Sequence, residues 1–312
     1  MNVLRVLGLA AILTAGCDGG NGSCYVNTDC DANPETPCMD ASVACLTGAC
    51  HAAPYDLTCV SGYVTDNAGC PVGCQNVVAC TEGACYFANT DATGFFTAPV
   101  ERTGAHDLSI YFPGSDHHSP FCLFTDLCDG AIRLCTEFVL YPAPTSGVAV
   151  PPNLPPSESN PLPADVRVEA ADSAVMTLHA GDELYLPFDA EPWMALSRFP
   201  TEEHLPCFID PARPPASLYV VTPIDVYVLE PGSRLAPVLR PASLDLPNTT
   251  GLPAGSNVDI YILGGLHPQD TGLLEGEWSR WVGATVSADG TRIQTADGEG
   301  IPYLTWFGVQ VP

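Results

Sequence analysis

Lysine does not occur in the 312 residues, and the 10 basic side chains, all arginine, face 36 aspartates and glutamates. A formal charge of −26 at pH 7 follows. Without lysine the chain forms no Schiff base and holds no phosphate loop of the Gly-x-x-x-x-Gly-Lys kind. Nucleic acid is excluded as a partner, because neutralising a phosphate backbone takes clustered Lys and Arg. The same deficit argues against docking on anionic headgroups. The acidic residues form no tail or block, so a solvated, self-repelling surface is expected. No apolar run approaches the roughly 20 residues needed to cross a bilayer. Gly-x-Ser-x-Gly and His-Glu-x-x-His are missing too, and Glu202-Glu203-His204 lacks a second histidine at helical spacing. No signature of a hydrolytic nucleophile or a zinc protease remains.

Proline and glycine are plentiful, with 31 and 28 copies spread along the chain. They disfavour long helices and suit short strands joined by turns. Hydrophobic content of 46% is enough to build cores. An all-β protein is therefore expected.

The chain opens with one positive charge at Arg5, and residues 6–13 are uniformly apolar. Small residues follow, and then Cys17. A charged start, a short apolar run and small residues at its end describe a signal peptide. The stretch Leu13-Thr14-Ala15-Gly16-Cys17 resembles the bacterial lipobox, whose cysteine takes a diacylglycerol before cleavage. That resemblance implies a signal peptide over residues 1–16, lipid attachment at Cys17 and a tether over residues 17–23. Several acyl chains on one residue give stable anchoring, and the Gly/Asp/Asn/Ser composition after Cys17 suits a flexible tether.

Setting Cys17 aside leaves an even number of the 15 cysteines, which permits complete pairing. Two groups of five crowd the first third of the chain: Cys24, Cys30, Cys38, Cys45 and Cys50, then Cys59, Cys70, Cys74, Cys80 and Cys85. Each group ends in a near-repeat, VACLTGAC at residues 43–50 and VACTEGAC at 78–85. In an exported chain this density reads as disulfides that brace a small core. Zinc is the competing reading, but tight Cys-x-x-Cys knuckles are absent. Cys122, Cys128, Cys135 and Cys207 complete the set. Cys207 is expected to pair with one of the other three rather than to act as a nucleophile. A Cys-rich segment over residues 24–58 is the first expected unit.

From Cys59 onward the cysteines thread through another pattern. Gly62, Val64, Asp66, Gly69, Pro71 and Val72, then Thr90, Asp91, Gly94 and Phe95, follow the order strand, Asp-x-x-Gly-x-Pro-Val, strand, Thr-Asp-x-x-Gly-x-Phe. The stretch resembles the carboxypeptidase regulatory-like domain, a transthyretin-like β-sandwich that carries no catalytic residues. DNAG and DATG are turn tetrads, and DLSIYF alternates as a half-buried strand does. That domain is expected over residues 59–141. Pro, Ser and small residues dominate 142–163, which reads as a linker.

Residues 164–312 repeat strand, turn, strand with period-2 alternation, and SADG and TADG supply Asp-Gly hairpin turns. A C-terminal β-sandwich region is expected. Residues 226–263 resemble the β-module shared by netrin receptors and ankyrins, through Pro231-Gly232 and Ala236-Pro237-Val238. In that family the module packs against neighbouring domains.

Chemistry has one concentrated candidate. His106, Asp107, Asp116, His117 and His118 are donors that zinc or copper takes. Along an extended strand, however, His106 and the His117-His118 pair stand about 20–25 Å apart at about 3.3 Å per residue. A solvated loop is the expectation, and metal binding the alternative. Asp289-Gly290 and Asp297-Gly298 lack an EF-hand pattern and read as hairpin turns. Trp278 and Trp281, three apart in a strand, are expected to face opposite sides, and an outward indole offers a stacking surface for a sugar.

Together these features resemble surface lipoproteins of the myxobacterial type. The expectation is a non-enzymatic binding, adhesion or scaffold protein of the cell envelope, at the outer membrane or cell surface. Its membrane contact is the N-terminal lipid, its partner an envelope protein or external ligand, and no cofactor is called for. The alternatives are a metal-binding protein and an enzyme with an unrecognised site in the C-terminal region.

Overall fold

The computed structural model describes residues 57–80, 85–101, 108–112, 117–118, 122–124, 132–149, 160–185, 193–201, 205–224, 226–233, 238–265, 271–274 and 276–311. Their regular secondary structure is almost entirely strand. The first eight strands are β1 (Leu57–Asp66), β2 (Asn76–Cys80), β3 (Cys85–Asn89), β4 (Phe95–Glu101), β5 (Leu108–Tyr111), β6 (His117–His118), β7 (Cys122–Phe124) and β8 (Ile132–Pro142). Next come β9 (Val148–Ala149), β10 (Val166–Glu169), β11 (Val175–Leu178), β12 (Glu183–Tyr185), β13 (Trp193–Phe199), β14 (Ser217–Thr222) and β15 (Val226–Leu229). The last six are β16 (Ser243–Pro247), β17 (Asn257–Leu263), β18 (Trp278–Val286), β19 (Arg292–Thr295), β20 (Tyr303–Leu304) and β21 (Trp306–Gln310). The chain divides into two compact units, Met1–Gly114 with Cys122–Pro142, and Ser115–Phe121 with Ala143–Pro312.

In the first unit β1 is central to one sheet, antiparallel to β4 and parallel to β8, with a register shift between Ser61 and Tyr63. A second sheet runs β3-β2-β5-β7. Phe96 from β4, Phe138 from β8 and Phe112 beyond β5 meet at ring-centroid distances of 5.1–6.2 Å and fill the space between the sheets. Gly62 is small because it faces this cluster: a Cβ there would fall 2.9 Å from the Phe96 ring.

Two turns that carry the regulatory-domain likeness hold this unit in register. The Asp66 carboxylate accepts the N–H groups of Ala68 and Cys70, closing the loop over Gly69, whose φ is 76°. The Asp91 carboxylate does the same for Thr93 and Phe95, with Gly94 at φ 73°. The turns then join, since Val64 N–H donates to Gly94 O and Val72 N–H to Val64 O. The buried Thr90 hydroxyl donates to Val72 O and accepts the Gln75 N–H, binding the same two segments again.

The second unit is built on a ten-stranded sheet in the order β10-β11-β16-β19-β18-β17-β21-β14-β13-β9. It curls until β10 lies beside β13, leaving the sheet nearly closed. A small sheet, β12-β15-β20, contributes to the enclosed core. The alternation expected from sequence is plain in β17, where Val258, Ile260 and Ile262 are buried and Asp259 and Tyr261 face the other way. Inside, Tyr219 stacks on Phe307 and Tyr227 on Tyr303, each pair with centroids 5.3 Å apart.

β14 differs, being buried along its whole length. Its outer side, with Leu218 and Val220, belongs to a second apolar region in which Phe199, Phe208 and Trp306 pack edge to face. Strand alternation gives no hint of this, because the covering residues around Phe208 come from an irregular loop.

The proline-rich stretch differs from a free linker at both ends. Val148 and Ala149 pair with Met194 and Trp193 as β9, and Gly147 is required there because a Cβ would fall 2.0 Å from Met194 O. Near the other end Leu162 is buried in the second unit's core, donating its N–H to Asp182 O and accepting that of Gly181. The main segment of the second unit therefore begins at Ala143, before the Asp165 region where alternation first becomes visible.

Candidate functional site

Most sequence-derived site residues fall where little is described. His106 and Asp116 lie outside the described residues, as do Cys17, Cys24, Cys30, Cys38, Cys45, Cys50 and Cys128. His117 and His118 are described only as the backbone of β6. Among the described residues, no group of three or more His, Cys, Asp or Glu is arranged to hold a metal ion.

The cysteine chemistry is clearer. Cys80 and Cys85 are directly opposed at the end of the β2–β3 hairpin and joined by a disulfide. Cys74 and Cys207 are each disulfide-bonded as well, so Cys207 has no thiolate to offer as a nucleophile. The Cys70 thiol is buried close to Asp66. Burial, and then the nearby Asp66 carboxylate, push that thiol above its ordinary range. Its N–H is held by Asp66 in the first turn, so the residue is fixed there by its backbone.

Sequence reading missed two acids in the run MTLHAGDELYLPF, where Asp182 and Glu183 are both fully buried. The Asp182 carboxylate accepts the His179 N–H at 2.6 Å, and its other oxygen lies 3.4 Å from Arg240 Nε. Burial raises the pKa of Asp182, opposed by the His179 N–H and by the Arg240 charge. Glu183 reaches the opposite way and accepts the Gly232 N–H at 2.9 Å. These acids tie the turn before β12 to the segments around β15 and β16. Both side chains are enclosed, and each joins separate segments of the second unit. Their long-range partners, Arg240 and Gly232, lie about fifty to sixty residues downstream, and no local signal marks them.

A second buried polar contact closes the space near β13. The Tyr219 hydroxyl donates to Asp172 at 2.9 Å, with Arg198 Nε 3.9 Å from the same oxygen. Burial, followed by the Asp172 charge, pushes the phenol well above the usual tyrosine range. It is a fixed donor and not a base.

The tryptophans face opposite sides as expected. Trp281 packs against the enclosed core and donates Nε1–H to Gly300 O, at a register irregularity between Ile260 and Tyr261 on β17. Trp278 turns outward and lies between Phe208 and Tyr261, with centroids 5.4 and 6.1 Å away. It also lies over Gly308, where a Cβ would approach its ring to 3.2 Å. Half-buried in this way, Trp278 is largely used in covering the outer apolar region.

Neither a protein-family model nor a curated protein matches the chain. Solved structures match at low overlap. A type II cohesin–X-dockerin complex from Acetivibrio cellulolyticus, an N-terminal interface mutant, shares 14% identity at a TM-score of 0.20. That match covers 27% of this chain and 58% of the other, so the chain spans less than two thirds of its length. A C-terminal interface mutant of the same complex gives 15% identity with the same coverage. A DUF3823 family protein from Parabacteroides merdae covers 80% of this chain and 98% of its own, at 9% identity and a TM-score of 0.21.

Proposed function

We propose that the chain is an exported lipoprotein, anchored to the bacterial cell envelope through Cys17, whose β-units bind or scaffold and do not catalyse. The observation that carries the reading is the run ending Leu13-Thr14-Ala15-Gly16-Cys17. Support comes from the disulfides at Cys80–Cys85, Cys74 and Cys207, which suit an oxidising compartment outside the cytoplasm. The joined turns at Asp66–Gly69 and Asp91–Gly94 favour a regulatory-like, transthyretin-type domain as the first unit. The buried ionisable groups Asp182, Glu183 and Tyr219 all brace strands, which favours a binding over a catalytic role.

Palmitate labelling in the producing cells tests the anchor. The native chain is expected to incorporate label and partition with membranes, while Cys17→Ala loses both. Label retained by Cys17→Ala overturns the anchor at that residue. Protease shaving of intact cells then distinguishes the faces. Release of peptides from residues 165–312 indicates display outside the cell, and protection that ends on permeabilising the outer membrane indicates the periplasm.

A further inference from the structure

We draw no further inference here: the strongest candidate, the outward side of the β1–β4 pair where Tyr63 is exposed beside Phe95 at a ring-centroid distance of 5.1 Å, is a small aromatic patch, and nothing in the structure shows what covers it.

Discussion

Arg292 grips Asp245 twice, donating Nε–H to its carboxylate at 2.8 Å and a terminal N–H to its carbonyl at 2.6 Å. The same guanidinium reaches Ser173 O at 2.9 Å and Ser173 Oγ at 3.3 Å. One planar side chain thus joins β19, β16 and the turn between β10 and β11. A lysine ammonium cannot reproduce this fork. Arg292→Lys is expected to lower unfolding stability by about 1.5–3 kcal/mol, the range for hydrogen bonds to charged groups. Arg280 makes a single short contact with Asp259 and is more than half exposed, so Arg280→Lys is expected to cost only about 0–1 kcal/mol. Urea denaturation of the two variants decides it, and equal losses would remove the distinction.

Two aspartates should pull the pH dependence of stability in opposite directions. The folded-state pKa of Asp182 is raised, chiefly by burial, so the folded state holds that proton more tightly than the unfolded chain. Its contribution is fully present below the unfolded value of 3.8 and is lost as pH rises through the raised folded value. Asp289 is lowered to about 2, first by the Ser287 hydroxyl and then by the Thr291 N–H. Its contribution is present above 3.8 and is lost as pH falls towards 2. In unfolding experiments across pH, Asp289→Asn is expected to flatten the acid limb, while Asp182→Asn removes a decline on the higher side. Unchanged slopes in both variants would show that neither shift contributes.

The proline-rich stretch offers a direct test of whether it is spacer or structure. Leu162 is 3% exposed and packs in the second unit's core. Leu162→Ala is expected to cost about 2–5 kcal/mol, as for other buried leucines. Ser146→Ala, at an exposed position in the same stretch, is expected to stay within about 0.5 kcal/mol. A harmless Leu162→Ala in thermal or urea unfolding would return residues 142–163 to the status of a free linker.

Gly69 and Gly94 share a left-handed backbone and differ in their surroundings. Nothing lies within 4 Å of a Cβ added at Gly69, whereas one at Gly94 meets Val64 O at 2.3 Å. Gly69→Ala is therefore expected to cost about 1–2 kcal/mol, from backbone conformation alone. Gly94→Ala should cost clearly more, because the two turns must separate. If alanine were equally tolerated at both, the joined turns would not be what holds the first unit in register.

Thiol labelling checks the sulfur assignments. Without reductant, the folded protein is expected to leave Cys70, Cys74, Cys80, Cys85 and Cys207 unmodified by iodoacetamide. Unfolding in denaturant should still leave Cys74, Cys80, Cys85 and Cys207 unmodified. Alkylation of Cys207 under those conditions would restore it as a reactive residue.

What the sequence made legible was local. Asp66, Asp91 and Asp289 cap turns through their own neighbouring N–H groups, and Gly290 and Gly298 take the left-handed conformation their Asp-Gly pairs suggest. Strands such as β17 show their buried face by simple alternation. What stayed hidden depends on partners far along the chain. Asp182 reads as a polar strand flank until Arg240 is placed beside it, and Leu162 as linker until the second unit's core closes over it. The doubly buried β14 is illegible for the same reason, since its outer side is packed in part by an irregular loop around Phe208.

β21 sits between β17 and β14, hydrogen-bonded to both. In chain order it follows every other strand of the second unit, yet in space it is an inner one. Until Trp306–Gln310 emerges, β14 and β17 each present an open edge, and Phe199 and Phe208 lack the indole they pack on. Closure of this sheet therefore waits on its last strand in chain order. A chain cut short after Thr305 carries two exposed strand edges, ready to pair with another molecule or to be cleaved.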